Sequence, residues 1–164
     1  SGLILRDIDI LTKLPAVSVF FSITGSNDKL TGLFERNTDS YRSRLETIAA
    51  LARAGINVWV HLGPIIPYFT DIYRIIDDIR IYASKIEFEN LNKNAAPLEK
   101  IIELLKNIDS QAAGKLCELY NSETLHNDYW RAEQMRIEEY ISSRNLKTHT
   151  AFCPLNEHFN QSLI

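Results

Sequence analysis

The feature that most constrains the fold of this chain is the segment from Gly55 to Pro67. Residues 56–62 are almost continuously apolar and rich in β-branched side chains, which is typical of a parallel strand covered on both faces. Gly55 follows an amphipathic run, where glycine is best suited to the left-handed end of a helix. Pro64 and Pro67 cannot donate to a strand ladder, so a rigid loop is expected over residues 63–69.

Helical and strand patterns alternate around this segment. Apolar residues at helical spacing predict three helices, at residues 4–14, 40–54 and 71–79, the last with Thr70 as its N-cap. Strand patterns occur at residues 17–23, 56–62 and 85–91. The stretch 24–38 is polar and predicts a long loop. This alternation indicates an α/β fold with a right-handed parallel sheet.

The second part of the chain is more polar and mostly helical. Pro97 stands at the start of a further helix through Leu105, and helices are expected at about 111–120 and 127–144. Residues 148–152 can add a terminal strand. We therefore expect an α/β unit over residues 1–109 and a helical extension over residues 110–164.

Composition excludes several classes of function. The 164-residue chain carries a net charge of −3, which gives no electrostatic basis for binding nucleic acid or an anionic membrane. Its two cysteines, Cys117 and Cys153, have no metal-binding spacing. No segment approaches the roughly 20 apolar residues of a membrane span, and no signal peptide opens the chain. A cytoplasmic protein is expected.

The number of strands is small for the predicted architecture. Three or four parallel strands cannot close a barrel, and an open sheet of this kind leaves an unpaired edge. The chain also begins with a helix that needs a sheet to cover. We therefore expect the second half of a larger fold, able to self-associate through its exposed sheet edge.

Several segments in order over residues 3–92 resemble a known family, the radical S-adenosylmethionine (radical SAM) enzymes. The spore photoproduct lyase-like group is the most similar branch, and the V-x-V-H-x-x-P-I run is the most specific of the segments. The matching segments are Leu5–Leu11, Val17–Thr24, Leu33–Thr38, Arg44–Leu45 and Val58–Pro67.

The resemblance implies a partial (β/α)6 barrel, a TIM-like architecture, of which residues 1–109 would supply the C-terminal βα units. In this family a 4Fe-4S cluster, held by C-x-x-x-C-x-x-C, reductively cleaves S-adenosylmethionine to a 5′-deoxyadenosyl radical. That motif is absent from this sequence. The resemblance thus implies a fragment that is inactive alone, whose partner is the missing N-terminal half and in which the cofactor-contacting edge is present but no bound cluster or cofactor is expected. The DNA substrate of the named branch does not transfer.

The resemblance also implies cofactor contacts near the end of the first strand. Ser22 and Thr24 would meet the ribose or methionine part of S-adenosylmethionine, although a strand-end hydroxyl bonded to backbone is an equal alternative. Glu35 and Arg44 align with the E…R-[IL] segment of the family. An arginine fork suits a carboxylate, whereas the alternative for this pair is an ion pair on a helix surface.

The central strand and its loop supply the next candidates. His61 should share a face with Trp59 and Gly63, and the resemblance makes that face the barrel lumen. His61 would contact substrate or cofactor rather than a metal, with a buried core histidine as the alternative. Pro64, Ile65 and Ile66 would form an apolar surface beside adenine, against the alternative of a stiff loop packed on its own helix.

The third strand ends in two polar residues that point to opposite faces. At most one of Glu89 and Asn90 can therefore enter the lumen, and Asn90 is the cofactor-binding candidate. Two other functions remain open on the sequence alone. The chain could be a self-contained, non-catalytic α/β binding or assembly domain, or a complete small α/β enzyme that uses His61 with Glu89.

Overall fold

Four parallel strands lie side by side in chain order. The computed structural model of the chain describes residues 1–35, 37–92, 97–144 and 149–152. The strands are β1 (Ser18–Ile23), β2 (Asn57–Ile65), β3 (Lys85–Asn90) and β4 (His149–Phe152). The predicted α/β class and parallel sheet are confirmed, including the terminal strand.

Helices connect the strands and follow the third of them. A 3-10 helix (Gly2–Asp7) runs into α1 (Ile8–Leu11) ahead of β1. The other helices are α2 (Asp28–Phe34), α3 (Tyr41–Arg53), α4 (Ile72–Ile79), α5 (Leu98–Lys106), α6 (Ser110–Asn121) and α7 (Glu123–Ser143). None of the helices in the described ranges is both long enough and apolar enough to span a bilayer.

In the described part of the chain, helices cover one face of the sheet and leave the other open. On β2, Val58, Val60 and Leu62 are completely buried, whereas Trp59 and His61 on the other face are partly exposed. The covered face packs against α3, α4 and α7 in one core, which includes Ile48, Leu51, Ile75, Ile76, Ile79 and Ile137. The prediction that β2 is covered on both faces was therefore wrong. Because the strands follow one another in order, connections of the same hand place their helices on the same side.

A second apolar cluster lies beyond the carboxyl ends of the strands. It joins α5 and α6 to Leu30 of α2 and to Ile66 and Leu91, which follow β2 and β3. The Tyr120 hydroxyl of α6 donates a hydrogen bond of 2.6 Å to the Leu91 carbonyl. These contacts fix the backbone that leaves β2 and β3.

The segment after β1 is not the long loop that the sequence predicted. It contains the helix α2, whose N-cap Asn27 accepts a hydrogen bond of 2.9 Å from the Leu30 amide. With seven residues and a glycine at position 32, α2 is too short to show a clear helical period. Leu30 is nevertheless buried against the second cluster, so tertiary packing stabilises this helix.

The segment after Leu62 also differs from its prediction. Strand β2 continues to Ile65, which pairs with Asn90, with an irregularity at Gly63 and Pro64. Pro64 thus sits within the strand where the ladder is already interrupted, a position proline tolerates. Asp71, and not Thr70, is the N-cap of α4, because its carboxylate accepts from the Arg74 amide.

Helix α4 provides a test of the one-sided core. Ile79 at its end is completely buried, while Ile81, two residues on, is 69% exposed. We expect Ile79→Ala to lower the free energy of unfolding by about 2–4 kcal/mol, because it leaves a cavity beneath the sheet. Ile81→Ala should change it by about 0.5 kcal/mol or less. Urea denaturation of both variants measures the difference, and equal effects would contradict the packing described.

Candidate functional site on the open sheet face and its carboxyl edge

The uncovered face of the sheet, here called the open face, carries rows of side chains set by strand register. Phe20, Trp59 and Lys85 lie opposite one another on β1, β2 and β3. Ser22, His61 and Glu87 form the next row toward the carboxyl ends of the strands. The first row is aromatic and cationic, and the second is polar and titratable.

The aromatic row is packed but still accessible. The rings of Phe20 and Trp59 meet edge to face with centroids 5.0 Å apart, and Phe20 is 55% exposed. The Lys85 ammonium lies 4.7 Å from the centre of the Trp59 ring, within the range of a cation–π contact. The same ammonium donates to Glu87 at 2.5 Å.

His61 lies between two carboxylates. Its Nε2 is 2.9 Å from Glu89 Oε2, a hydrogen-bond distance, and its Nδ1 is 3.9 Å from Glu87 Oε2. The His61 side chain is 24% exposed, so it is neither a core histidine nor a freely solvated one. Because Lys85 already pairs with Glu87, Glu89 is the main anionic partner of the imidazole.

Gly63 leaves the space in which His61 and Glu89 meet. A Cβ at this position would lie 2.8 Å from His61 Nε2 and 2.8 Å from Glu89 Cβ. Real Cβ atoms essentially never approach so closely, so any other residue would displace the pair. The contact between His61 of β2 and Glu89 of β3 therefore requires a residue without a side chain at position 63.

A second network ties the end of β1 to α2 and α3. Arg44 pairs with Glu35, and its Nη1 donates to the Ser22 carbonyl at 2.7 Å. The Thr24 hydroxyl donates to Glu35 Oε1 at 2.8 Å and lies 3.3 Å from the Gly63 carbonyl. The Glu35–Arg44 network thus joins the carboxyl ends of β1 and β2.

The electrostatics of this network favour an ionised glutamate. Burial alone would raise the pKa of Glu35, but hydrogen bonds from Arg44 and Thr24 and the charge of Arg44 outweigh it. The pKa of Glu35 is therefore lower than its usual value. Because the Arg44 guanidinium also donates to the Ser22 and Asp39 carbonyls, each of its three nitrogens has a partner inside the protein.

The structure brings some of the predicted site residues together and separates others. Ser22, Thr24, Glu35 and Arg44 meet at the end of β1, and His61 lies in register beside Ser22. Pro64 follows at the end of β2. These residues share the carboxyl edge of the sheet.

Ile65 and Asn90 lie elsewhere. Ile65 is 2% exposed and belongs to the core on the covered side of the sheet. With Phe88 and Trp130, both residues line a cavity of about 20 Å³, which has room for about one water molecule. Asn90 therefore faces α7, and it is Glu89 that joins His61.

Sequence reasoning placed Gly63 on the face of Trp59 and His61, but it missed Lys85 and Glu87 as members of the open face. Period-two alternation contained the signal for the two charged residues, since Lys85, Glu87 and Glu89 occupy alternate positions of β3. The local sequence does not show why position 63 must be glycine, because the crowding atoms belong to Glu89 of β3 as well as to His61. Thr70 was also assigned a different role: its hydroxyl donates to the Thr24 carbonyl and accepts from the Ile66 amide.

Ligands for a metal cluster are not assembled here. Within the described ranges, no three histidine, cysteine, aspartate or glutamate side chains are placed to hold a metal ion. Cys117 is a half-buried residue of α6, and Cys153 lies outside the described residues. The residues present do not fit a 4Fe-4S cluster, which requires several thiolates at one point.

The chain is similar over part of its length to an archaeal protein. Over 96 residues the chain is 29% identical to an uncharacterized protein, MJ0683, of Methanocaldococcus jannaschii. The match covers 58% of this chain but 37% of the archaeal protein, so the chain spans little more than a third of that relative. No family model matches the chain, and no solved structure matches it.

The Glu35–Arg44 network can be tested against a matched surface pair. Arg44 and Glu35 have side chains 10% and 22% exposed, whereas Arg42 and Glu46 pair on the same helix at 89% and 67%. We expect Arg44→Met to lower the free energy of unfolding by about 3 kcal/mol, because it strands a partly buried carboxylate. Arg42→Met should cost about 0.5 kcal/mol or less.

The contribution of Glu35 to stability should depend on pH in a definite direction. Since the folded pKa of Glu35 is below the ordinary 4.5, its contribution is present above pH 4.5 and is lost as the pH falls through the lower folded value. The stability difference between wild type and Glu35→Gln should therefore shrink on acidification below pH 4.5. A difference that stays constant over that interval would contradict the assignment.

Proposed function

We propose that this chain is the C-terminal part of a cytoplasmic radical SAM enzyme and that its carboxyl edge helps to hold the nucleoside of S-adenosylmethionine. The observation that carries the proposal is the sheet itself. Its parallel strands follow chain order, and the described residues leave one face open with polar side chains at its carboxyl end. Ligands of barrel-type α/β proteins bind at that end of the strands.

Strand order supports an arc of a barrel over a doubly wound sheet. A doubly wound sheet reverses its strand order and covers both faces with helices. Here the order is β1-β2-β3-β4, and the described helices that join the sheet's core lie on one side. The open face then corresponds to the inside of the proposed (β/α)6 barrel, with Trp59 and His61 in its lumen.

The surface of the first helical segment favours the presence of a neighbouring βα unit on the β1 side of the sheet. Its inward residues Ile4, Ile8 and Leu11 pack against the core of the sheet. Its other side exposes Leu3 and Ile10, at 64% and 57%. A helix with apolar residues on two sides is suited to a position between two others. The greater length of the archaeal relative agrees with this proposal.

The residues of the carboxyl edge would share the work of holding the cofactor. Arg44 and Glu35 would fix the end of β1, since both are engaged with each other and with backbone groups. Ser22, whose side chain is exposed, would present a hydroxyl toward the sugar. The bound cluster and S-adenosylmethionine together would supply the 5′-deoxyadenosyl radical, and the cluster ligands would come from the N-terminal part of the enzyme.

One observation favours the alternative of a non-catalytic assembly domain. The Glu35–Arg44 network is satisfied by the protein's own groups, as expected of a structural clamp. In that alternative the open face would bind another protein chain and the carboxyl edge would bind no nucleoside.

Titration with S-adenosylmethionine, followed by two-dimensional amide NMR, distinguishes the two functions. We expect shifts at the amides of residues 22–25 and of Gly63, Ile65 and Ile66, and none in α6, with a Kd on the order of 1 mM because the cluster contacts are missing. Shifts confined to other regions, or none at several times that concentration, would refute the nucleoside site. Ser22→Ala should weaken binding, whereas Ser110→Ala at the start of α6 serves as the control.

Self-association through the open sheet is a separate expectation. Phe20 lies on the edge strand β1 and is 55% exposed, and Leu125 on α7 is also 55% exposed. We expect concentration-dependent dimers that Phe20→Glu abolishes and Leu125→Glu leaves unchanged, because only the first adds a charge beside the unpaired edge. Analytical ultracentrifugation measures both, and a wild-type monomer at every concentration would contradict the expectation.

A further inference from the structure

The geometry points to an acid–base dyad on the open face, in which His61 exchanges a proton with a bound substrate and Glu89 positions the imidazole. This inference rests on the proposed function, since it places the substrate in the proposed lumen beside the cofactor edge. It concerns different atoms from those that would hold the nucleoside. The substrate class it implies carries an exchangeable O–H or N–H group next to an apolar or aromatic part.

The hydrogen bond to Glu89 decides which imidazole nitrogen is available. A carboxylate can only accept, so the 2.9 Å contact requires that His61 Nε2 carries the hydrogen. In the neutral ring, Nδ1 then keeps its lone pair. The nearest carboxylate to Nδ1, on Glu87, is 3.9 Å away, which is beyond hydrogen-bond distance. Nδ1 is thus the atom that can bind a substrate proton.

The proton transfer is balanced by groups already in place. A substrate X–H gives its proton to Nδ1 and keeps the bonding electrons, which leaves X⁻ and an imidazolium ring. Glu89 stabilises the positive ring through Nε2–H, and Glu87 lies on its other side. Lys85, paired with Glu87, supplies a positive charge on the same face for the anion that forms. Return of the proton restores the neutral dyad.

The surrounding surface indicates the kind of substrate. Phe20 and Trp59 form an exposed apolar patch one row nearer the amino ends of the strands than His61. A molecule entering from the carboxyl edge would reach Nδ1 with its polar group and rest its apolar part on this aromatic pair. The titratable row and the aromatic row together favour a substrate that has both an exchangeable O–H or N–H group and an apolar or aromatic part.

Gly63 is the strongest indication that the His61–Glu89 contact is a specific feature of this site. The absence of a side chain at this one position of β2 allows the His61–Glu89 contact, as the 2.8 Å approach of a built Cβ to both residues shows. Gly114, by contrast, has nothing within 4 Å of such an atom. The two glycines therefore provide a matched pair of substitutions.

Proton NMR of the His61 ring tests the positioning step on the intact chain. We expect a low-field, exchange-protected proton on Nε2, since a charge-assisted hydrogen bond to a carboxylate shifts and protects it. Glu89→Leu should remove this resonance, and Glu89→Gln, which retains an acceptor, should preserve part of it. His61→Gln identifies the resonance, and circular dichroism verifies folding. A wild-type ring whose proton lies on Nδ1 would overturn the inference.

Carbethoxylation by diethyl pyrocarbonate tests the free nitrogen, with each histidine followed by mass spectrometry. We expect His61 to react and Glu89→Gln to slow this reaction by about threefold to tenfold. The carboxylate can only accept and so keeps the hydrogen on Nε2 and the lone pair on Nδ1, whereas a glutamine amide can also donate to Nε2. His126 is 5% exposed and provides an internal control that should react slowly in both proteins. An unreactive His61, or equal rates in wild type and Glu89→Gln, would overturn the inference.

Gly63→Ala completes the test because it alters no polar group. We expect it to reproduce the loss of the Nε2 proton seen in Glu89→Leu, whereas Gly114→Ala should retain the wild-type spectrum. Retention of the resonance in Gly63→Ala would show that the glycine does not support the dyad. Failure of S-adenosylmethionine to bind would refute the nucleoside site and leave these results unchanged, so the two proposals can fail separately.

Discussion

Burial of one face of the parallel sheet is the constraint on which the rest of this structure depends. The aliphatic side chains of Val58, Val60 and Leu62 are driven beneath the sheet by the removal of apolar area from water. Strict alternation along β2 then requires Trp59 and His61 to point the other way. The open face is therefore a consequence of the core, and its chemistry is fixed by what the alternate positions carry.

Two polar clusters with different characters result at the carboxyl edge. The Glu35–Arg44 network is partly buried and occupied by the protein's own carbonyls and hydroxyls, which suits it to hold the ends of β1 and β2 in place. The His61–Glu89 pair is more accessible and leaves one imidazole nitrogen without a hydrogen bond to either carboxylate. The first cluster holds the strand ends in position, and the second has a nitrogen atom that can take part in a reaction. We therefore assign the proposed proton transfer to the His61–Glu89 pair.

The sequence predicted much of the fold and part of the site for identifiable reasons. The helices α3 and α4 have long apolar stripes, and β1 and β3 have clear alternation, so each was placed within a few residues. Helix α2 was missed because seven residues hold too little periodic signal. The sequence predicted that both faces of β2 are covered, because Trp59 extends an apolar run. In the structure the Trp59 ring instead lies against Lys85 on the open face.

The sequence by itself determined the α/β class, the parallel strands and the opposite directions of Glu89 and Asn90, since all of these follow from local periodicity. Only the tertiary structure decided that Glu89 meets His61, that Asn90 faces α7, and that Gly63 must lack a side chain. These outcomes depend on the register between β2 and β3 and on atoms distant in sequence. No local pattern encodes such contacts, because each is created when separate segments pack together.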